Sequence, residues 1–438
     1  MKVFIETLGC PKNFNDSETV AGLLEKAGHE IAAIPSEADA IIVNTCGFIN
    51  DAKKESIERI FDMSAYDKVL VISGCLTQRY GDELFDSIPE ADLIIGVNDY
   101  DKLPELLSEY DRGCRAKGAR EKLVSQYEKD ISSMIRKISD EPYTATLKIA
   151  EGCNNRCTYC IIPMIRGPFR SVPMDELIAE TKMLADAGTK ELILIAQDTT
   201  AYGMDFDGKY HLAELLTELC KVDGIEWIRI LYAYEDRITD ELIDVMAREE
   251  KICNYLDIPL QHASDSVLRA MDRRSTHASI KRTLRKLRAA IDDIHIRTTL
   301  ITGFPGETEE DFDELLDMVE TERFDRLRVF TYSAEDGTVA AGMDGQIPEE
   351  IKEERMDAVM RRQLDISLEN NQDKVGFVLD VIIDEEDDDG SYTGRTRYDA
   401  PEIDNAVLIN TVKKHVPGDI IRVKIVDAFD YDLVGEEV

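Results

Sequence analysis

The sequence predicts an α/β protein of three parts: a doubly wound parallel sheet, an incomplete α/β barrel and a small antiparallel β-barrel. Apolar, β-rich runs alternate with helical patterns over residues 1–112, and the same alternation resumes over residues 142–371. Residues 372–438 instead show short strand patterns separated by turns, as small β-barrels do. With 438 residues, the chain is long enough for each part to have its own hydrophobic core.

The first part predicts four parallel strands, three of which run directly into a cysteine. The strands are expected at Lys2–Thr7, Ala40–Asn44, Lys68–Ser73 and Asp92–Val97. The cysteines that follow the first three strands are Cys10, Cys46 and Cys75. Because the carboxyl ends of parallel strands lie along one edge of a sheet, where ligands bind, we expect these thiols to converge. Residues 113–141 are polar and mixed in charge, and they predict a linker.

The second part predicts six strand–helix units without a reversal, which is typical of an incomplete (β/α)6 barrel. Its strands are expected at Ala145–Ala150, Glu191–Ala196, Trp227–Tyr232, Tyr255–Pro259, His295–Ile301 and Arg326–Thr331. The working face of such a barrel lies at the carboxyl ends of its strands. Gln197 and Gln261 stand at two of these ends and could hydrogen-bond a ligand, or could be ordinary polar strand ends. His262 is expected to be a polar strand-end residue and not a metal ligand.

Three cysteines within eight residues give the strongest chemical indication. They stand in Glu151-Gly-Cys153-Asn-Asn-Arg-Cys157-Thr-Tyr-Cys160, directly after the first barrel strand. Thiolates are the usual ligands of 4Fe-4S clusters, and three of them would leave the fourth iron open. A structural zinc site would require a fourth Cys or His nearby, and none follows within the expected distance.

This cysteine spacing resembles that of the radical S-adenosylmethionine (SAM) superfamily. The resemblance implies that the open iron binds the amino and carboxylate groups of SAM, whose reductive cleavage gives methionine and a 5′-deoxyadenosyl radical. It also implies that the backbone at Tyr159 contacts the adenine. The glycine-rich segment with Gly303 and Gly306 would line the adenosine side of the cofactor, although an ordinary βα turn is the alternative.

Over essentially the whole chain, the layout resembles the methylthiotransferases of that superfamily. The resemblance is carried by the three N-terminal cysteines, the continuation Ile161-Ile-Pro-Met-Ile-Arg166-Gly167 and the C-terminal β-module, which is expected to be TRAM-like. It implies that Cys10, Cys46 and Cys75 hold a second 4Fe-4S cluster, whereas buried core thiols are the alternative.

The implied reaction uses two SAM molecules and a one-electron donor such as flavodoxin or ferredoxin. One SAM methylates a sulfur held at the auxiliary cluster, and the other gives the radical that removes a hydrogen from the substrate. No catalytic acid or base is expected, because the clusters and the cofactor carry the chemistry.

Two branches of this family differ in substrate: one modifies adenosine in transfer RNA, the other an aspartate of small-subunit ribosomal protein S-twelve. The runs Asp257-Ile-Pro-Leu-Gln261-His262 and Gly394-Arg-Thr-Arg-Tyr-Asp399-Ala-Pro-Glu-Ile-Asp404, together with Cys153-Asn-Asn-Arg-Cys157, resemble the ribosomal-protein branch. Residues 372–438 contain seventeen Asp or Glu against seven Lys or Arg. This charge suits a basic protein substrate and disfavours RNA.

The whole chain has a formal net charge of −37, which argues against nucleic-acid binding except for a local contact with ribosomal RNA. Acidity that only maintains solubility is the alternative explanation of the charge. The basic stretch from Arg269 to Arg288 is expected to be a solvated helix face.

A two-cluster electron carrier is the hypothesis from another functional class. Carriers usually saturate their irons with four cysteines, and each of these triads has three. No apolar run approaches the roughly 20 residues needed to cross a bilayer, and the N-terminus lacks the features of a signal peptide, so we expect a cytoplasmic protein with no membrane contact. The remaining cysteines, Cys114, Cys220 and Cys253, are expected to be structural.

Overall fold

A computed structural model describes residues 1–126, 136–138 and 143–438. The N-terminal unit is a six-stranded parallel sheet. Its strands are β1 (Lys2–Thr7), β2 (Glu30–Ile31), β3 (Ala40–Thr45), β4 (Val69–Gly74), β5 (Leu93–Ile95) and β6 (Glu121–Leu123). Its helices are α1 (Pro11–Lys26), α2 (Asn50–Ser64), α3 (Cys75–Ser87) and α4 (Leu103–Asp111). The strand order β2-β1-β3-β4-β5-β6 is that of a doubly wound sheet and confirms the prediction.

Two apolar cores lie on opposite faces of this sheet, because successive side chains of a strand point in opposite directions. Ile42 of β3 is buried in one core with Leu24 of α1. Its neighbour Ile41 is buried in the other core with Ile60 of α2. The continuous apolar sequence of β3 therefore reflects a strand that is covered on both faces.

The segment that was predicted to be a linker contributes the edge strand β6, which pairs in parallel with β5. Three residues are too few to show a strand period in the sequence. Residues 127–135 and 139–142 of this segment lie outside the described residues, so the domain boundaries remain a prediction.

The central unit is an open sheet of six parallel strands, in the order β14-β13-β12-β11-β10-β7. The strands of this unit are β7 (Thr144–Lys148), β8 (Ala150–Glu151), β9 (Arg170–Ser171), β10 (Glu191–Ile195), β11 (Trp227–Ile230), β12 (Ile252–Asp257), β13 (His295–Thr302) and β14 (Arg326–Thr331). Its helices are α5 (Ile162–Arg166), α6 (Met174–Asp186), α7 (Met204–Asp207), α8 (Leu212–Leu219), α9 (Asp240–Arg248), α10 (Asp265–Ala270), α11 (His277–Ala290), α12 (Glu309–Glu322) and α13 (Glu349–Gln372). The strands follow one another in chain order, which confirms the incomplete barrel. The short strands β8 and β9 form a separate antiparallel pair.

The C-terminal unit is a closed five-stranded barrel. Its strands are β15 (Val378–Glu386), β16 (Tyr392–Thr396), β17 (Val407–Asn410), β18 (Ile420–Ala428) and β19 (Leu433–Glu437). The last strand closes the barrel by pairing with both β17 and β18. Among the described residues, no helix has the length and apolar character needed to cross a membrane.

The C-terminal barrel covers the amino ends of the central strands, opposite the face expected to carry the chemistry. Arg326, at the start of β14, donates to Asp399, and Arg395 lies 2.8 Å from Glu191, at the start of β10. Tyr255 of β12 donates to Asp404 at 2.7 Å. The charged residues of the second branch motif therefore bind the two units together.

Candidate functional site

The loop with Cys153, Cys157 and Cys160 is held at its base by the β8–β9 pair. Gly152 has a φ of +79°, and an added Cβ would lie 2.1 Å from the carbonyl oxygen of Pro168. Only glycine therefore fits where the two arms of the loop meet. The amide of Cys153 donates to the carbonyl of Gly167 at 3.0 Å and closes the loop.

These three thiols lie close together in a buried environment. Burial raises the pKa of Cys153 to about 11, and the nearby Cys157 adds to the shift. Burial, followed by the charge of Cys157, also raises the pKa of Cys160. Thiols with raised pKa values lose their protons when a metal binds, because metal coordination stabilises the thiolate.

Tyr234 and Arg273 approach this triad from two neighbouring segments of the barrel. The Tyr234 hydroxyl lies 3.2 Å from the Cys157 sulfur, and the Arg273 guanidinium lies over the Tyr234 ring, 4.2 Å from its centroid. Arg273 was expected to be on a solvated helix face, but it is only 7% exposed. In the sequence, Arg273 belongs to one basic stretch with its charged neighbours. In the structure, α10 ends at Ala270, so Arg273 lies in the turn after this helix and not on a helix face.

Cys10, Cys46 and Cys75 come together at the carboxyl edge of the N-terminal sheet. Cys46 directly follows β3, Cys75 begins α3, and Cys10 caps the start of α1. Gly9 lets the loop after β1 approach Cys46 closely, because an added Cβ at this position would lie only 2.9 Å from the Cβ of Cys46. Burial, followed by the charge of Cys75, raises the pKa of Cys46 to about 12. The positive ends of α1 and α3 face this second triad and favour an anionic group there.

Both triads fit an iron–sulfur cluster better than a single metal ion. Among the described residues, no group of three or more His, Cys, Asp or Glu side chains converges closely enough to hold one ion. A cubane cluster needs a different arrangement, because each thiolate binds a separate iron at a corner of the cube. In each triad two thiols are buried and the third is half-buried, and the three neighbouring cysteines suit three corners of such a cluster.

A buried charge network crosses the interface between the N-terminal sheet and the barrel, from Cys75 of the second triad to Glu151, which stands two residues before Cys153. Arg166 of α5 lies 2.5 Å from Asp16 of α1, and it donates to the Cys75 sulfur at 3.1 Å. Lys148 lies 2.6 Å from Asp16 and 3.3 Å from Glu151. No sequence motif pointed to this network. Asp16 stands on the buried face of α1, and a charge at such a position is the feature that could have indicated it.

The cofactor-side candidates occupy the same mouth of the barrel. Gln197 donates to Glu151 at 3.0 Å, and its buried carbonyl oxygen has no hydrogen-bond partner among the described residues. Gln261 has a φ of +72° and bridges to β13 through its backbone. Tyr159 packs against an apolar cluster that includes Phe304. These placements leave the unpaired oxygen of Gln197 as the clearest acceptor available to a ligand.

The glycine-rich segment folds around Glu307. The amides of Gly303 and Phe304 donate to this carboxylate at 2.8 and 3.2 Å. An added Cβ at Gly303 would lie 2.2 Å from the side chain of Lys352, and the amide of Gly306 donates to Gly345. Both glycines therefore have a role within the fold, and their contact with the cofactor remains a prediction.

The remaining cysteines lie in three different environments. Cys253 is buried within the barrel, and Cys220 is half-buried against its core. Cys114 is exposed, which differs from the structural role that was expected for it. Its sequence neighbours are polar and charged, and they are the feature that could have indicated its exposure.

Family models match three parts of the chain. Residues 147–319 match the radical SAM superfamily, residues 2–96 match the uncharacterized protein family UPF0004, and residues 375–438 match the TRAM domain. The TRAM match coincides with the closed C-terminal barrel, and the radical SAM match covers the cysteine loop and most of the open sheet.

Three relatives that match this chain over nearly its whole length share the same protein name. The ribosomal protein uS12 methylthiotransferase RimO of Lachnoclostridium phytofermentans is 47% identical over 441 residues, which cover 99% of this chain and 99% of the relative. The protein of the same name from Desulforamulus reducens is 47% identical over 437 residues, covering 98% of each chain. That of Clostridioides difficile is 44% identical over 441 residues, covering 100% of this chain and 98% of the relative.

Solved structures share the fold at low identity. The radical SAM methyltransferase TsrM from Kitasatospora setae has a TM-score of 0.59 and 14% identity, and the match covers 75% of this chain and 74% of TsrM. The cobalamin-dependent SAM radical enzyme OxsB has a TM-score of 0.54 and 14% identity, covering 83% of this chain and 56% of OxsB. These similarities show a common architecture and no more.

Proposed function

Because this chain belongs to the RimO family of ribosomal protein uS12 methylthiotransferases, we propose that it methylthiolates uS12, the small-subunit protein S-twelve. The reaction replaces a hydrogen on the β-carbon of an aspartate by a methylthio group. The observation that carries the proposal is the pair of three-cysteine sites in a chain that is similar to these relatives over nearly its whole length.

We assign one 4Fe-4S cluster to each triad: the radical cluster to Cys153, Cys157 and Cys160, and the auxiliary cluster to Cys10, Cys46 and Cys75. When bound, the clusters and two SAM molecules supply the radical and the methylthio sulfur, with electrons from a donor such as flavodoxin or ferredoxin. A hydrogen on an sp³ carbon has no useful acidity, which explains why the reaction requires no catalytic acid or base.

The chain's own residues hold and orient these groups. The Tyr234 hydroxyl and the Arg273 guanidinium place hydrogen-bonding and positive character next to Cys157. Arg166 does the same for Cys75, and through its ion pair with Asp16 it fixes the auxiliary site to the barrel. Hydrogen bonds to cluster sulfurs are among the factors that set cluster potential. Gln197 offers its free carbonyl oxygen to the cofactor.

The charge of the C-terminal barrel supports a protein substrate. The acidic excess over residues 372–438 would attract a basic ribosomal protein and repel the phosphates of transfer RNA. Transfer RNA methylthiolation would use the same triads but would require positive charge on this barrel. A two-cluster electron carrier is disfavoured because it would need neither SAM nor an open iron.

The test is anaerobic reconstitution with iron and sulfide, followed by incubation with SAM, dithionite and a peptide that copies the target loop of uS12. Mass spectrometry should find a gain of about 46 Da on the aspartate, the increment for exchange of hydrogen by methylthio. Cys157→Ala and Cys46→Ala should both abolish it. Cys114→Ala is the matched control, since its thiol is exposed and outside both triads, and it should retain activity.

Two other outcomes would change the proposal. If 5′-deoxyadenosine forms, the peptide stays unmodified and transfer RNA gains the methylthio group, the substrate assignment is wrong. If neither 5′-deoxyadenosine nor product forms with reconstituted protein, the catalytic proposal itself fails.

A further inference from the structure

Lys12 has a buried ammonium group beside the auxiliary triad. It is the second residue of α1, two positions after Cys10, and it is 7% exposed. Its nitrogen lies 3.6 Å from the centroid of the Tyr232 ring. Within residues 1–126, 136–138 and 143–438, the Lys12 side chain forms no hydrogen bond and no ion pair.

Lys12 has no carboxylate of the described residues within ion-pair distance, which sets it apart from the buried cations around it. Burial lowers the pKa of its ammonium, and the nearby Cys10 of the auxiliary triad opposes this shift. The carboxylates of Glu151 and Asp257 attract the charge of Lys12, but both lie beyond ion-pair distance and each is paired with another cation. Glu151 lies 3.3 Å from Lys148, and Asp257 lies 3.0 Å from Arg297. A buried ammonium without a directly paired carboxylate is unfavourable, and the positive end of α1 adds to the repulsion. The fold therefore keeps a lysine where burial disfavours its charged form, and within the described residues only Cys10 is an anionic neighbour without a partner of its own.

The position of Lys12 lies between the two triads. Two tyrosines that follow β11, Tyr232 and Tyr234, establish this position, because they are two residues apart and each lies next to a different triad. Tyr232 packs under Lys12, next to Cys10, whereas the Tyr234 hydroxyl lies 3.2 Å from the Cys157 sulfur. Tyr232 has a φ of +60°, a conformation that is strained for an aromatic residue and is often found at functional sites. The end of β11 thus spans the distance from the auxiliary to the radical triad.

The target carbon has to reach this same region. In the proposed function, the hydrogen is removed on the side of the radical triad and the methylthio group comes from the auxiliary side. The β-carbon of the aspartate must therefore lie between them, and its carboxylate is only one bond away. A carboxylate in this region would be buried and would require a positive partner.

We propose that Lys12 binds the carboxylate of the target aspartate and thereby positions its β-carbon between the two cysteine triads. Lys12 is thus a substrate-positioning residue that also selects aspartate over asparagine. An ion pair adjacent to the reacting carbon restrains it more closely than any contact to the peptide backbone. This inference rests on the proposed uS12 substrate.

The test is a binding cycle with the reconstituted holoenzyme and SAM, without reductant so that no turnover occurs. Two fluorescent peptides copy the uS12 loop, with either Asp or Asn at the target position, and anisotropy gives their affinities. The proteins are the parent, Lys12→Gln and Lys26→Gln. Lys26 is the exposed last residue of the same helix and serves as the control. Iron content is measured for each protein.

The parent should bind the Asp peptide about tenfold or more tightly than the Asn peptide, as expected for a buried charge-assisted hydrogen bond. Lys12→Gln should reduce this ratio to about one by weakening only the Asp peptide, and Lys26→Gln should keep the parent ratio. A parent that binds both peptides equally overturns the inference without any variant. A Lys12→Gln protein that keeps the parent ratio, or that binds both peptides more weakly by the same factor, also overturns the inference. If the parent binds neither peptide, the uS12 assignment falls as well.

Discussion

Replacing Arg166 by methionine would remove one of the four charges buried between the N-terminal sheet and the barrel. Arg166 and Lys148 carry the positive charges of this group. Asp16 and Glu151 carry the negative charges, and no side chain of the four is more than 4% exposed. Without Arg166, the two carboxylates keep a direct ion pair only with the ammonium of Lys148, and Lys12, which lies beyond ion-pair distance, compensates the remaining negative charge incompletely. The larger part of the destabilisation comes from that uncompensated charge and not from the lost contact itself.

The expected loss is about 3–5 kcal/mol of unfolding free energy, the usual effect of removing one partner of a buried ion pair. For a cooperative unit of a few hundred residues, this corresponds to a fall in Tm on the order of 5–10 °C. Arg59→Met is the matched control, because Arg59 pairs with Glu6 while remaining 40% exposed. Exposed pairs contribute at most about 1 kcal/mol, so this variant should melt close to the parent.

The assay is thermal unfolding of the cluster-free protein, so that loss of the contact between Arg166 and Cys75 does not act through cluster binding. Adding Asp16→Asn to Arg166→Met leaves Lys148 and Glu151 as a balanced pair. The double variant should therefore regain roughly 1–3 kcal/mol relative to the sum of the two single changes. An Arg166→Met protein as stable as Arg59→Met, or a strictly additive double variant, would refute the reasoning.

Three further predictions concern the clusters and the C-terminal barrel. Cys46→Ala and Cys157→Ala should each retain about half of the parent's iron and sulfide after reconstitution, because the proposed function assigns one cluster to each triad; total loss in either variant would contradict independent sites. Tyr234→Phe removes the hydroxyl next to the Cys157 sulfur and should make the midpoint potential of the radical cluster more negative, as measured by redox titration with EPR. The hydrogen bond from the ammonium of Lys413 lowers the pKa of Glu437 to about 2. The pair therefore stabilises the folded barrel fully above the ordinary glutamate pKa, and this stabilisation is lost as the pH falls from about 4 toward 2. Glu437→Gln should flatten that part of the curve of Tm against pH.

Much of the fold could be predicted because its strands have regular, strongly apolar patterns. The fully buried strand β3 was expected to end at Asn44 and ends one residue later, and β14 has the predicted bounds of Arg326–Thr331. Elements of two to five residues, such as β6 and β9, were missed, since so few residues show no period.

The cysteines could be found in the sequence because their spacing carries the chemistry directly. Their surroundings could not be found, because they depend on contacts between residues far apart in the chain. Arg166 donates to Cys75 across 91 positions, and Lys148 reaches Asp16 across 132. Lys12 illustrates the same limit. Only the assembled structure shows that its ammonium lies over the Tyr232 ring, just after β11, and that it forms no ion pair among the described residues. Local patterns indicate candidate ligands, whereas the electrostatics of a site arise from packing between domains.

The central claim is that uS12 is the substrate, and one measurement in cells tests it most directly. The chain, or its Cys157→Ala variant, would be expressed in a bacterial strain that lacks its own uS12 methylthiotransferase. The intact mass of uS12 from purified ribosomes and the nucleosides of digested transfer RNA would then be measured from the same cells. The account predicts a gain of about 46 Da on uS12 with the parent chain, none with the variant, and no new methylthio nucleoside. Unmodified uS12 together with newly methylthiolated transfer RNA would contradict it.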